Sequence, residues 1–175
     1  MPKLSPAPTV VSGLKQALVP HAPFSGMSSG DLERVVRASK LRYFAPGETI
    51  LVPTDGRPSQ CFVIKQGVVR GERPAPDGTL RPAWELVAGE MFPLGALLAN
   101  RGVTSHYRAG GDVFCLVFPV SVFDQLVSGS PVFQDFCTRR LAHLLDLSRA
   151  NVQAEYAATV TEQRVLWLQA PQAGD

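Results

Sequence analysis

GEMFPLGALLANRGVTSHYRAGGDVFCLVFPVSVFDQL, residues 89–126, begins on a strand end with a tight turn at Gly89 and passes into one or two helical turns at PLGALL. A loop at Asn100-Arg101-Gly102 follows, then the β-rich runs TSHYRA and VFCLVF, then a helix after Pro119. A short helix set between two strands aims free backbone N–H groups into the mouth of the fold, a general way to hold an anion. Pro93 is expected as the first helical residue, where its missing N–H is not needed.

Upstream, over residues 41–87, short β-rich runs alternate with turns: LRYF, TILV, CFVIK, VVRGE and WELV. Asp77-Gly78 is a hairpin signal, and Trp84 is expected to begin a strand at the core or rim. Strands at such short, regular spacing predict an antiparallel β sandwich or barrel, here a jelly roll (double-stranded β-helix), so the fold class is mainly β with flanking helices. Before the strands, residues 29–39 predict a helix capped by Ser28 or Ser29. Leu32, Val35 and Val36 make its apolar face, and Asp31 and Glu33 suit its first turn. Residues 1–23, broken by five prolines, read as an arm in which only 12–19 can form a short helix.

After Pro131 neither Gly nor Pro occurs through residue 170. The run predicts a long C-terminal helix over 131–168, up to about 50 Å at 1.5 Å per residue. Phe133, Phe136, Cys137, Leu141, Leu144 and Leu145 share one side of it. Such a helix leaving a small domain needs a partner surface, so a homodimer through it is expected. The organisation expected is arm 1–23, β-barrel domain 24–130, helix 131–168 and tail 169–175.

Composition narrows the function classes. The 175 residues are 45% hydrophobic and 18% charged, a globular balance. Seventeen basic against fifteen acidic residues give a net charge of +2, without the basic stripe of a nucleic-acid reader. No secretory signal or membrane-length apolar run is seen, so a cytoplasmic location away from membranes is expected. Cys61, Cys115 and Cys137 are widely spaced and lack a CxxC pair, which argues for small core residues rather than a metal site or disulfides. No Ser-His-Asp set, carboxylate pair or Gly-rich nucleotide loop is present, so neither an enzyme nor a resident cofactor is expected. Glu85 and Asp112 are expected to face solvent, and His106 to be a half-buried barrel residue with Ser105 and Tyr107 pointing the other way.

The order of these motifs resembles the cyclic nucleotide-binding domain, the sensor of the bacterial catabolite activator protein and of kinase regulatory subunits. The likeness spans about residues 24–147 and includes FAPGETI at 44–50 and FVIKQGVV at 62–69. It implies a small-molecule sensor whose ligand cassette is Phe92, Pro93, Leu94, Gly95, Ala96, Leu97, Arg101, Val103, Thr104 and Ser105. In ligand-competent members that cassette reads Phe-Gly-Glu, with an Arg about ten residues on. The Glu accepts from the ribose hydroxyl and the Arg pairs with the cyclic phosphate. Here Phe92 is kept, but Pro93 and Leu94 stand at the Gly and Glu positions, and the Arg position falls at Val103 or Thr104. Losing the charged partner costs about 2–5 kcal/mol and the unpaired sugar hydroxyl about 1–3 kcal/mol. Together they imply at least about a hundredfold in affinity, so ordinary cyclic AMP is not expected to bind in the usual way. Arg101, two or three residues early, is the cation that could swing in for an anion.

A narrower resemblance, in FPLGALL, Thr104–Ala109, DVFCLVFP, SPVFQDFCTRRL and QAEYAA, is to a bacterial subfamily. Its members follow this sensor with CBS domains and a nucleotidyltransferase domain. It implies that the 175 residues are either an N-terminal fragment of a longer protein with such downstream domains or a stand-alone remnant of one. Three readings result: a sensor for a nucleotide-like ligand other than ordinary cyclic AMP; a structural dimerisation module whose vestigial pocket is filled by Leu94, Leu97 and neighbours; and a transcription regulator, which would need a helix-turn-helix after the long helix.

Overall fold

A computed structural model describes residues 8–75, 77–146, 149 and 153. The chain divides into two compact units, Met1–Cys137 and Thr138–Asp175. In the first, helices α1 (Pro8–Leu18) and α2 (Ser29–Ala38) precede strands β1 (Lys40–Phe44), β2 (Thr49–Leu51), β3 (Gln60–Gln66), β4 (Val69–Pro74), β5 (Leu80–Leu86) and β6 (Met91–Phe92). Helix α3 (Leu94–Leu98) separates these from β7 (His106–Ala109) and β8 (Val113–Pro119), and α4 (Val120–Gly129) follows directly. Residues 131–137 are helical again; in the second unit, 138–146 are helical. The expected run of that helix to residue 168, and the tail, lie outside the described residues apart from 149 and 153, which are also helical.

All strand pairs are antiparallel and form two four-stranded sheets, β1-β8-β3-β6 and β2-β7-β4-β5. This is the expected mainly β jelly roll with flanking helices. The continuous apolar runs CFVI and VFCLVF belong to β3 and β8, the two central strands of their sheet, which are buried on both faces. Their alternate residues therefore serve different cores. Phe62, Ile64, Val113, Cys115 and Val117 meet Phe44, Val69, Leu86 and Phe92 between the sheets. Cys61, Val63, Leu116 and Phe118 pack instead with Leu18, Phe24, Val35, Val36, Phe123, Leu126 and Phe133 of the helical layer. Each large side chain so buried stabilises the fold by about 1.5–3 kcal/mol.

Helix α2 forms as its sequence requires. The Ser28 Oγ accepts the Asp31 N–H at 3.1 Å, and Leu32, Val35 and Val36 are buried. Two elements differ from expectation. Helix α1 begins at Pro8, four residues ahead of residue 12, because proline suits a first helical turn and Val11, Leu14 and Leu18 find cover on the helical core. Strand β5 begins at Leu80, so Trp84 sits well inside it. The Asp77 Oδ1 accepts from both the N–H and the hydroxyl of Thr79, at 2.9 and 2.6 Å. That closes the turn and lets Pro74 pair with Leu80 at once.

Candidate functional site: the helix-and-loop cassette at the mouth of the sheets

Pro93 is the cap of α3 rather than its first residue. Its ring holds φ at −87°, but its ψ of 80° is not helical. Its carbonyl accepts the N–H groups of Ala96 and Leu97, both at 3.1 Å. The far end is closed by a Schellman motif. Asn100 has a positive φ of 53° and donates its N–H to the Leu97 carbonyl at 3.2 Å, while Arg101 donates to the Ala96 carbonyl at 3.0 Å. Asparagine tolerates this backbone region better than most side chains. The loop expected at Asn100-Arg101-Gly102 is thus set by local hydrogen bonds.

The ten residues singled out from the sequence do not converge on one space. Phe92 is buried between the sheets. Leu94, 4% exposed, and Leu97 are buried in the helical core instead. The expectation that they fill a pocket in the barrel is therefore corrected: a helix starting at residue 94 turns its apolar side to the α1–α2–α4 layer. Pro93 and Ala96 are buried, Gly95 is half-buried and Thr104 is exposed. Arg101 is exposed, with its Nη1 donating to the Gly102 carbonyl at 3.4 Å. Val103 is 6% exposed and Ser105 2%. The Ser105 Oγ has no hydrogen-bond partner among the described residues.

A ladder of aromatic rings runs beside the cassette. Phe62 stacks on Phe92 at 4.9 Å and 13°, and Phe92 on Tyr107 at 5.2 Å and 14°. Trp84 meets Tyr107 edge-on at 6.0 Å and 75°. The Arg73 guanidinium lies 5.2 Å over the Trp84 ring. Gly71 stands opposite both Trp84 and Tyr107. A Cβ there would fall 2.1 Å from Trp84 Cε2, so only glycine lets the indole lie flat over the strand. Burial pushes the Tyr107 phenol up to about 12, against the pull of the Arg101 and Arg73 charges. Sequence reasoning placed Tyr107 opposite His106 but missed the ladder. The available signal was a glycine in β4 with aromatics at the cross-strand positions.

The other side of this sheet is charged. Arg108 donates to Glu72 at 3.3 Å and to the Gly47 carbonyl at 3.1 Å. Glu85 is exposed and pairs with Arg70 at 2.9 Å. Asp112, also exposed, accepts the Tyr43 hydroxyl at 2.6 Å. His106 is half-buried, in register with Glu72. Among the described residues no group of three or more His, Cys, Asp or Glu is placed to hold a metal. Cys61, Cys115 and Cys137 are buried thiols. Also among the described residues, no helix is long and apolar enough to cross a membrane. What this arrangement offers chemically is a stacking surface, one buried neutral hydroxyl, and the exposed Arg73 and Arg101.

Residues 41–130 match the family described as Cyclic nucleotide-binding domain. No curated protein matches the chain. Among solved structures it is similar to the regulatory subunit of a cAMP-independent protein kinase A from Trypanosoma cruzi bound to guanosine. That likeness has 18% identity and a TM-score of 0.69, over 86% of this chain and 51% of that one. The regulatory domain of Toxoplasma gondii protein kinase A with cAMP is similar at 16% identity and a TM-score of 0.68, over 77% of this chain and 51% of that one. The N-terminal domain of a transcriptional regulator from Streptomyces coelicolor is similar at 18% identity and a TM-score of 0.57, over 75% of this chain and 94% of that one. The chain spans about half the length of the kinase regulatory chains it resembles.

Proposed function

The chain belongs to the cyclic nucleotide-binding domain family, and from that premise we propose that it is a regulatory sensor whose cassette has exchanged its ionic grip for apolar packing. The observation that carries this is the burial of Leu94 and Val103. Leu94 stands where the family resemblance expects the carboxylate for the ribose, and the guanidinium for the phosphate is expected at Val103 or at the exposed Thr104, neither of which carries a charge. A side chain sealed in the helical core cannot reach a sugar hydroxyl, and valine offers no charge. Related folds bind differently: the Toxoplasma gondii domain is described with cAMP, and the Trypanosoma cruzi subunit, called cAMP-independent, with guanosine. On this reading the ligand is nucleotide-like but not ordinary cyclic AMP. Ligand in the barrel biases the segment after Pro119, and a homodimer helix carries the signal to downstream CBS and nucleotidyltransferase domains. A ligand moves that equilibrium only through its differential affinity for the two states. Calorimetry with cyclic AMP is the direct test: heat that saturates below millimolar ligand overturns the exchanged-cassette reading.

A second reading, a structural dimerisation module without ligand, draws on the exposed Leu141 and Leu145, four residues apart in the helical stretch 138–146. Thermal melting against a panel of nucleotides and nucleosides separates the two. A shift with any member supports the sensor; a flat panel supports the module.

A further inference from the structure

We propose that strand β1 is a docking edge for an extended partner segment in which acidic and apolar residues alternate, added to the sheet as a further strand. β1 ends the sheet β1-β8-β3-β6 and pairs only with β8 among the described residues. Its outer row of backbone N–H and C=O groups is a template for another strand. The other three edges are blunted. β2 and β6 have three and two residues, and β5 carries Pro82, which has no N–H to give. β1 has five residues and no proline, and Lys40 to Tyr43 are exposed.

The two faces of β1 select the partner. Lys40 and Arg42 share one face, and Leu41 and Tyr43 share the other. Among the described residues, Lys40 and Arg42 enter no salt bridge, and the Arg42 guanidinium lies 4.9 Å over the Phe44 ring. Carboxylates set opposite these two cations make favourable cross-strand pairs. On the other face Leu41 is 50% and Tyr43 51% exposed, with the Tyr43 ring 5.1 Å from that of Phe114. Asp112 already accepts the Tyr43 hydroxyl at 2.6 Å, so this face takes apolar side chains rather than more carboxylates. A second copy of β1 fits poorly. Paired antiparallel about Arg42 it sets Arg42 against Arg42, and about Leu41 it sets Lys40 against Arg42; like charges directly opposite are destabilising. Centred on Tyr43, only residues 42–44 of each strand stay in register. In a segment of alternating acid and apolar residues, main-chain hydrogen bonds supply the affinity and alternate side chains the specificity.

The test titrates the full chain into three fluorescent peptides and follows anisotropy: Val-Glu-Val-Glu-Val-Glu, its block isomer Val-Val-Val-Glu-Glu-Glu, and Val-Lys-Val-Lys-Val-Lys. The alternating acidic peptide is expected to bind at least about tenfold more tightly than either of the others. The double variant Lys40→Glu with Arg42→Glu should reverse the choice and prefer the lysine peptide, which a merely unfolded chain cannot do. Deuterium exchange on the wild type reads the backbone directly. The β1 amides that face away from β8 should exchange fast in the free chain and slow when the alternating acidic peptide is added. Equal binding of the block isomer, no binding of any peptide, or an unreversed choice in a folded double variant overturns the inference. So does protection that appears outside residues 40–44. Outward β1 amides already slow in the dilute free chain would mean that the chain's own residues hold the edge. Amides that slow only as the chain is concentrated would mean that a second copy does; either result overturns the inference.

Discussion

Phe92 and Leu94 are two residues apart and belong to different cores. Phe92 stacks between Phe62 and Tyr107 inside the sheets, whereas Leu94 is buried with Leu18, Val35 and Phe123 in the helical layer. Pro93 makes the divide: it ends β6, caps α3 and turns the next side chain away from the barrel.

Restoring the family's carboxylate at this position should therefore fail. Leu94→Glu places a charge in an apolar cluster with no partner, a change that costs roughly 3–5 kcal/mol. Urea unfolding should show the loss, and calorimetry should show no gain of cyclic AMP binding. A variant of wild-type stability that binds cyclic AMP would show that the residue 94 side chain does reach the barrel.

Gly89 carries a positive φ of 90° and lies under His21. An alanine Cβ there would fall 2.2 Å from the imidazole Nδ1. Gly89→Ala should cost about 1–3 kcal/mol from backbone strain alone, with the imidazole clash added. Adding His21→Ala should recover the steric part and leave the backbone part. A double variant as unstable as Gly89→Ala would mean that His21 moves aside freely.

Alkaline pH should weaken the fold. Burial pushes the Cys115 and Cys137 thiols and the Tyr107 phenol up to about 12, and the Cys61 thiol well above its ordinary range. Each folded value exceeds the unfolded one, about 8.5 for cysteine and 10 for tyrosine, so the folded chain keeps protons that the unfolded chain releases. Their contribution is complete below about pH 8.5 and is lost as pH rises toward about 12. The urea midpoint should fall steadily between about pH 9 and 11; a flat profile there would contradict burial of these groups.

Leu145 is 58% exposed, and Leu141, one helical turn before it, is exposed as well. If this stripe joins two copies, light scattering should report twice the chain mass for the wild type. Leu141→Asp with Leu145→Asp should report the single mass and leave the melt of the β domain unchanged. A wild type that stays single at high concentration removes the dimer.

Much of the architecture was legible in local patterns. The apolar runs of β3 and β8, the Asp77-Gly78 turn, the Ser28 cap and the α2 face are each set by residues within a few positions of one another. Local propensity and side-chain period decide such elements before any long-range contact forms. The exchange of Glu for Leu94, and of Arg for Val103 or Thr104, was also plain, because it is a matter of residue chemistry at a spacing. What the linear chain left open was direction. Whether Leu94 plugs the barrel or seals the helical layer depends on the path after Pro93. Whether Trp84 lies flat depends on Gly71 in the neighbouring strand, thirteen positions away in sequence. That the Ser105 hydroxyl is buried with no partner among the described residues emerges only once the chain has packed around it. Burial is a property of the packed whole, so this buried hydroxyl and the aromatic ladder came from the tertiary structure alone.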